Sequence, residues 1–357
     1  MKEIPGHLAD QMMSAAASAQ HISIITHMKP DGDAMGSSTG LYHFLKANGC
    51  QNVSIILPSP YPNSTKFLTE NIPSGDITDA QSSMQKASEL LASSDLIFCL
   101  DFNSFYRTES LEKTLRESKA RKILIDHHLN PDIPSFSIVF SEIEISSASE
   151  LLFHVLMKTS VVNGDAGKLP YATAESLYTG MTTDTNNFNN STYPSTLEMA
   201  SELIAHGVDK DRIINEVMHS YKENRLRLIG HLLKDNMTII PEGGACMVID
   251  SETIKQYNIG EGETEGIVNI PLDIKDVRLS ILLKEDNGKA RVSLRSKKGV
   301  SANFLAASRF NGGGHENASG GRLEFNDEIA DISQAREYTI RCMKEFLAKT
   351  DNGSRTA

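Results

Sequence analysis

The chain has 357 residues, 39% hydrophobic and 23% charged, with no tryptophan and a formal net charge of −11. That balance suits a folded protein of two or three domains rather than a disordered chain. The acidic surplus excludes a surface built to wrap long nucleic acid, which must neutralise many phosphates, but leaves room for a short anion held by a few local groups.

Residues 6–20 read as a short amphipathic helix and 21–26 as a strand. The strand opens into His27-Met28-Lys29-Pro30-Asp31-Gly32-Asp33. Here Pro30 and Gly32 force a loop, because proline fixes φ and glycine allows it to be positive. A helix over 34–47 closes at Asn48-Gly49, followed by a strand at 53–57, a proline-rich loop and a polar helix over 78–94. An apolar strand at 96–100 ends at Asp101, and a helix over 108–118 leads to a strand at 122–125 that stops at Asp126-His127-His128. Strand alternating with helix predicts a parallel sheet with crossover helices. Helices over 147–160 and 170–181 precede Asp184, and three more over 194–206, 209–218 and 221–235 follow without a strand signal. Beyond 240 the pattern changes. A strand at 245–249, a hairpin of 277–283 with 290–294 turning at Glu285-Asp286-Asn287-Gly288, a helix over 301–309, a glycine cluster, a short strand and a helix over 328–348 complete the chain.

The expected architecture is therefore α/β, in two parts. A parallel-sheet N-terminal domain over 1–205 is joined by a helical connector over 206–239 to a smaller α/β C-terminal domain over 240–348, with a loose tail over 349–357. Cys50, Cys99, Cys246 and Cys342 lie far apart and form no CxxC pair, which argues against a disulfide framework or a thiolate zinc site. No run approaches about 18 apolar residues, so the expectation is a cytoplasmic protein without a membrane partner.

Four groups need a common explanation: His27 with Asp31 and Asp33, then Asp101, then Asp126-His127-His128, then Asp184. Taken singly, Asp31 and Asp33 read as turn and N-cap residues, and Asp101 and Asp184 as caps. Taken together they read differently. Three of the groups follow buried strands of one sheet, and parallel strands bring their carboxyl ends to one edge. Bare aspartates gathered there would repel and raise one another's pKa. Divalent cations resolve the conflict, and carboxylate with imidazole suits Mn²⁺, with Mg²⁺, Fe²⁺ or Co²⁺ as substitutes.

The strings THMKPDGDAMGS, LDFNSFYRTE, ILIDHH and GMTTDTNNF, in this order, resemble the four motifs of the DHH phosphoesterase superfamily. The segment VSLRSKKGVSANFLAASRFNGGGHENASGG resembles its associated C-terminal domain, with an S-x-R strand and a GGGH loop. Within that superfamily the chain is most similar to the two-domain oligoribonuclease and pAp-phosphatase type. The resemblance implies two manganese ions, one on His27, Asp31 and Asp101 and the other on Asp33, Asp101, His127 and Asp184. It implies that Asp126 fixes His127 by a hydrogen bond, that His128 faces the substrate phosphate, and that Asp101 bridges the cations. Arg295, Gly312, Gly313, Gly314 and His315 would grip substrate in the second domain, the glycines as a nest of backbone amides. Lys29, Asn186 and Ser319 depart from the family pattern, and none of them removes a ligand.

The implied activity is in-line hydrolysis of short oligoribonucleotides to mononucleotides, and of 3′-phosphoadenosine 5′-phosphate (pAp) to AMP. A grip in one domain and cations in the other would act as a ruler that favours short chains, and a homodimer is compatible with this reading. The enzymatic rival is a phosphodiesterase for cyclic or linear dinucleotides such as c-di-AMP and pApA. A family II inorganic pyrophosphatase would carry a Ser-Arg-Lys-Lys string, which the sequence lacks. A processive exonuclease would need a basic channel, against the charge of −11. A non-catalytic nucleotide- or RNA-binding module would have no use for a complete ligand set.

Overall fold

The computed structural model describes residues 4–219, 222–260, 262–326 and 328–353, and the chain divides into two compact units, 1–220 and 221–357. The first unit runs α1 (Gly6–Ser18), β1 (Ile22–Ile25), α2 (Gly32–Ala47), β2 (Val53–Leu57), β3 (Ile77–Asp79), α3 (Met84–Ser93) and β4 (Leu96–Leu100). It continues with α4 (Glu112–Glu117), β5 (Arg121–Asp126), β6 (Ile138–Ser141), α5 (Ala148–Met157), α6 (Tyr171–Asp184), α7 (Pro194–Ala205) and α8 (Lys210–Met218).

Its six strands form one sheet in the order β3-β2-β1-β4-β5-β6, every pairing parallel. The apolar runs of β1 and β4 are buried along their whole length, as strands covered on both faces must be. Ile24, Phe98 and Ile123 point into a core shared with α1, α2, α5 and α6, whereas Ile25, Cys99 and Leu124 point into one shared with α3 and α4. Strand order reverses between β1 and β4, and open α/β sheets bind their ligands at that crevice. The register sets Ile25 opposite Cys99 and Leu100 opposite Ile125. His27, Asp101 and Asp126 therefore leave the sheet at one edge.

Two sequence expectations change here. Residues 78–94 are not a single helix: Thr78 pairs with Ile56 in the short edge strand β3, and the helix starts only at Met84. The helix expected over 108–118 is broken by Glu109, whose φ of 47° interrupts the 3₁₀ segment Phe105–Leu111 that precedes α4. Strand β6, an edge strand with alternating burial, gave no signal in the sequence reading.

Glu150 shows how the unit is tied internally. It is buried on α5, accepts from the Ser146 amide at 3.1 Å and from its hydroxyl, and accepts from Thr196 Oγ1 of α7 at 2.7 Å. Burial pushes its pKa up, but hydrogen bonds from His154, Ser146, Ser195 and Thr196 outweigh that and bring it down to about 2 from an ordinary 4.5. A depressed folded-state pKa stabilises above the unfolded value, and the contribution is lost as pH falls through the folded one. Glu150→Gln should therefore lose about 1–3 kcal/mol in urea melts at neutral pH. The deficit should be constant down to about pH 4.5 and should shrink as pH falls toward 2.

The second unit holds α9 (Glu223–His231), β7 (Thr238–Ile240), β8 (Gly244–Ile249), α10 (Ser251–Gln256), β9 (Leu279–Asp286), β10 (Lys289–Ser296), α11 (Ala302–Arg309), β11 (Gly313–Gly314), β12 (Ala318–Glu324) and α12 (Ile332–Gly353). Its sheet has the order β11-β12-β10-β9-β8-β7, with β8–β9 parallel and the remaining pairs antiparallel. The expected hairpin closes at Asn287-Gly288, whose φ angles of 46° and 79° fit a two-residue turn with both residues left-handed.

The expected connector over 206–239 does not stand apart. Ile213 and Val217 of α8 join the first unit's core, and Leu228 of α9 joins the second unit's. Helix α12 reaches Gly353, past the start of the expected tail, and residues 354–357 lie outside those described. Among the described residues no helix is long and apolar enough to cross a membrane.

Candidate metal centre

His27 leaves β1 buried, and its Nδ1 lies 2.9 Å from the Met28 carbonyl oxygen. A carbonyl only accepts, so Nδ1 carries a proton, and Nε2 is the ring nitrogen turned to the sheet edge. The Met28 amide donates in turn to the Arg107 carbonyl at 2.8 Å, which ties this loop to the one after β4. Asp31 caps α2, its Oδ1 accepting from the Asp33 and Ala34 amides at 3.0 and 3.1 Å. That same oxygen lies 3.9 Å from His27 Nε2, so the cap and the ligand readings of Asp31 hold together. Asp33, on the first turn of α2, is only 1% exposed.

Asp101 stands at the centre. Its Oδ2 is 3.3 Å from His27 Nε2, and its Oδ1 is 3.4 Å from His127 Nε2. On the second side His127 Nε2 also lies 3.6 Å from Asp184 Oδ2 and 3.9 Å from Asp33 Oδ2. One carboxylate thus turns an oxygen to each of two ligand groups, His27-Asp31-Asp101 and Asp33-His127-Asp184, whose ligand atoms lie within 4.8 Å of one another in each group. Asp101 adopts φ 62°, a left-handed conformation that costs a non-glycine residue about 1–2 kcal/mol and is tolerated where function requires it.

Asp184 reaches the centre from the last residue of α6, not from a loop after a strand or a shorter helix. Gly32 and Gly36 on α2 make this approach possible. A Cβ on Gly32 would sit 2.2 Å from Thr183 Oγ1, and one on Gly36 would sit 2.6 Å from the Ser176 carbonyl oxygen. A carboxylate at a helix C-terminus faces the negative end of the dipole, which adds to the need for a cation.

The electrostatics show the same conflict. Burial and then the Asp101 charge push Asp33 up to about 7, and burial with the charges of Asp33, Asp31 and Asp101 raises Asp184 well above the usual carboxylate range. Burial opposes protonation of the imidazoles, but hydrogen bonding to Asp101 and the surrounding carboxylates bring His27 up to about 9 and His127 to about 10. Asp101 is held well below the ordinary range, its burial outweighed by His127 and His27. Its Oδ1 is buried, 3.4 Å from His127 Nε2 and 3.7 Å from His128 Nδ1. An oxygen and nitrogen donor set without thiolates, gathered around such an oxygen, fits a hard or borderline divalent cation.

Asp126 departs from expectation. Its Oδ1 lies 2.7 Å from His128 Nδ1, so the carboxylate at the strand end orients His128 rather than His127. His128 Nδ1 is also 3.7 Å from Asp101 Oδ1, beside the cluster.

The other expected residues lie in the second unit. Arg295 sits on β10 with Nη1 donating to the Leu294 carbonyl at 2.9 Å, and it pairs in register with Ala318. The glycines do not form a free nest of amides. Gly313 and Gly314 make the short strand β11 against Gly320 and Ser319, and the Gly312 amide donates to the Ala306 carbonyl at 3.2 Å. A Cβ on Gly312 would lie 1.9 Å from the Gly320 carbonyl oxygen, so close backbone packing demands glycine there. His315 is exposed in the turn that follows.

The departures from the family pattern have local explanations. Asn186 adopts φ 47° and Lys29 φ 57°, positions where glycine or asparagine is at ease. Ser319 donates to the His315 carbonyl at 2.8 Å. Lys29→Asn should raise stability by about 0.5–1 kcal/mol in urea melts without altering the fold, since lysine at this left-handed position carries a penalty that asparagine largely escapes.

Sequence reasoning missed the partners of Asp33. Ala148 and Ser149 of α5 donate their amides to its Oδ2 and Oδ1 at 2.6 and 2.9 Å. The string Ser147-Ala148-Ser149-Glu150 before an apolar run is a helix-start signature, but nothing in it says which acid the helix will meet.

Comparison with known proteins agrees with this geometry. The model of the DHH family N-terminal domain matches residues 21–181, and that of the DHHA1 domain matches 246–341. The chain is 27% identical over 85% of its length to the bifunctional oligoribonuclease and PAP phosphatase NrnA of Bacillus subtilis, covering 89% of that protein. It is 29% identical over 90% of its length to the probable Streptococcus mutans counterpart, covering 95% of it. Among solved structures, an exopolyphosphatase-related protein from Bacteroides fragilis superposes with a TM-score of 0.88 at 36% identity, covering 98% of this chain and 99% of that one. With both domain models matched and a ligand cluster at the expected sheet edge, the chain belongs to the DHH family of phosphoesterases.

Proposed function

We propose that this protein hydrolyses short oligoribonucleotides to mononucleotides and pAp to AMP, using two divalent cations, manganese by preference. His27, Asp31 and Asp101 would hold one, and Asp33, Asp101, His127 and Asp184 the other. The observation that carries this reading is the placement of the two oxygens of Asp101 toward two separate ligand groups. The names of the curated relatives support the choice of substrate. Bound there, a cation pair would lower the pKa of a water and neutralise charge on the attacking and leaving oxygens.

The chain's own groups do the rest. Asp126 fixes the ring of His128, which stabilises the charge developing on the phosphoryl oxygens or gives its proton to the leaving oxygen. Arg295, the Gly312–Gly314 segment and His315 are the proposed contacts for substrate phosphate or base, Arg295 through its forked donors. A chain of net charge −11 has little cationic surface to spend on a long polyanion, which favours short substrates.

A panel with Mn²⁺ tests the assignment: pAp, pApA, c-di-AMP and an RNA series from dinucleotide to 24-mer. Di- to pentanucleotides and pAp should turn over at least about tenfold faster than the 24-mer, by the usual cost of unmade contacts. Equal rates on a 5-mer and a 24-mer would contradict the short-substrate preference. Faster turnover of c-di-AMP than of pAp and the short RNAs would move the assignment to signalling dinucleotides, and no release of mononucleotide would leave a binding module.

A further inference from the structure

Asp33 is the least exposed acid of the two ligand groups, and no side chain from its own helix orients it. Its carboxylate lies against the first turn of α5, whose unsatisfied amides can be followed one by one. Ala148 donates to Asp33 Oδ2 at 2.6 Å, Ser149 to Asp33 Oδ1 at 2.9 Å, and Glu150 to the Ser147 hydroxyl at 3.0 Å. The first two amides engage one oxygen each, so the carboxylate can neither rotate nor slide without losing a buried hydrogen bond, at a cost of about 1–3 kcal/mol. Each oxygen keeps a lone pair, and Oδ2 lies 3.9 Å from His127 Nε2 in the cluster. The positive end of the α5 dipole faces the acid and favours its ionised form.

The clamp closes only because α6 carries no side chain where it passes. A Cβ on Gly180 would lie 2.0 Å from Ser149 Oγ, 2.8 Å from Ser149 Cβ and 2.9 Å from Asp33 Oδ1. A methyl group there would be driven into the gap that the Ser149–Asp33 hydrogen bond spans.

We infer that the backbone amides of Ala148 and Ser149, given clearance by Gly180, are the positioning device for the Asp33 half of the metal centre, so that cation affinity depends on the α5–α6 contact as well as on the ligands. The inference rests on the metal-centre reading, and it is tested by direct Mn²⁺ binding to the full chain, followed by electron paramagnetic resonance and calorimetry.

Three variants separate positioning from folding. Ala148→Pro removes one amide of the clamp at the first helical position, where proline is tolerated, and Ser147 before it is already extended at φ −163°, ψ 161°. Gly180→Ala fills the gap, and Gly180→Ala with Ser149→Gly removes the obstructing side chain while keeping the amide. Ala148→Pro and Gly180→Ala are each expected to weaken Mn²⁺ binding about 10–100-fold, the usual effect of removing an outer partner of a ligand. The double variant is expected to recover at least part of that loss. Cooperative unfolding by circular dichroism shows that a variant is folded; should Ala148→Pro fail that check, the Gly180→Ala pair decides alone. Wild-type Mn²⁺ affinity in folded Gly180→Ala overturns the inference, as does a loss that the double variant does not reduce. Absence of Mn²⁺ binding in the wild type would instead overturn the metal centre itself.

Discussion

Asp101→Asn should lower turnover of the preferred substrate by on the order of 10³–10⁴-fold, equivalent to about 4–5.5 kcal/mol of transition-state stabilisation. The size follows from position. Asp101 is the one acid with an oxygen toward each ligand group, 3.3 Å from His27 and 3.4 Å from His127, so neutralising it weakens both halves at once. Asparagine also suits the site's backbone, because φ 62° is a conformation it tolerates better than most residues. Loss of activity should therefore appear in a protein whose circular dichroism matches the wild type. Turnover within tenfold of wild type would remove Asp101 from the chemistry.

Chelation should have an effect of the same order. Dialysis against a chelator should bring activity to background, and adding Mn²⁺ should restore it. Without a cation, Asp31, Asp33, Asp101 and Asp184 crowd one edge, and burial leaves Asp33 and Asp184 reluctant to ionise. A cation present at a hundred times its dissociation constant stabilises by about 2.7 kcal/mol. For a unit of 220 residues that corresponds to a rise in Tm of about 5–10 °C. Full activity after exhaustive chelation, with no change in Tm on adding Mn²⁺, would contradict a cation-dependent centre.

Much of this was legible before any coordinates. Apolar runs such as Leu96–Leu100, alternating with helical segments, read as buried strands, and a parallel sheet brings their carboxyl ends together, so His27, Asp101 and Asp126 at one edge follow from that pattern and the topology. What stayed hidden is of a different kind. Strands β3 and β6 lie at the edges of the sheet, and β3 is only three residues long, too short for a pattern to separate it from a neighbouring helix. Asp126 could orient either histidine beside it, and only the backbone direction at the strand end decides for His128. The glycine triplet reads in sequence as an anion-binding loop or a flexible turn, and nothing local shows that the Gly320 carbonyl will occupy the space a side chain at 312 would need. Asp33 meets α5 across 115 residues of chain, a contact set by packing of α2, α5 and α6 that no local pattern encodes.

The most direct test is anomalous diffraction from crystals soaked in MnCl₂. The expected result is two manganese peaks, one on each side of the Asp101 carboxylate, the first against His27 and Asp31 and the second against Asp33, His127 and Asp184. Peaks confined to surface acids, or none within bonding distance of Asp101, would contradict the paired-cation centre.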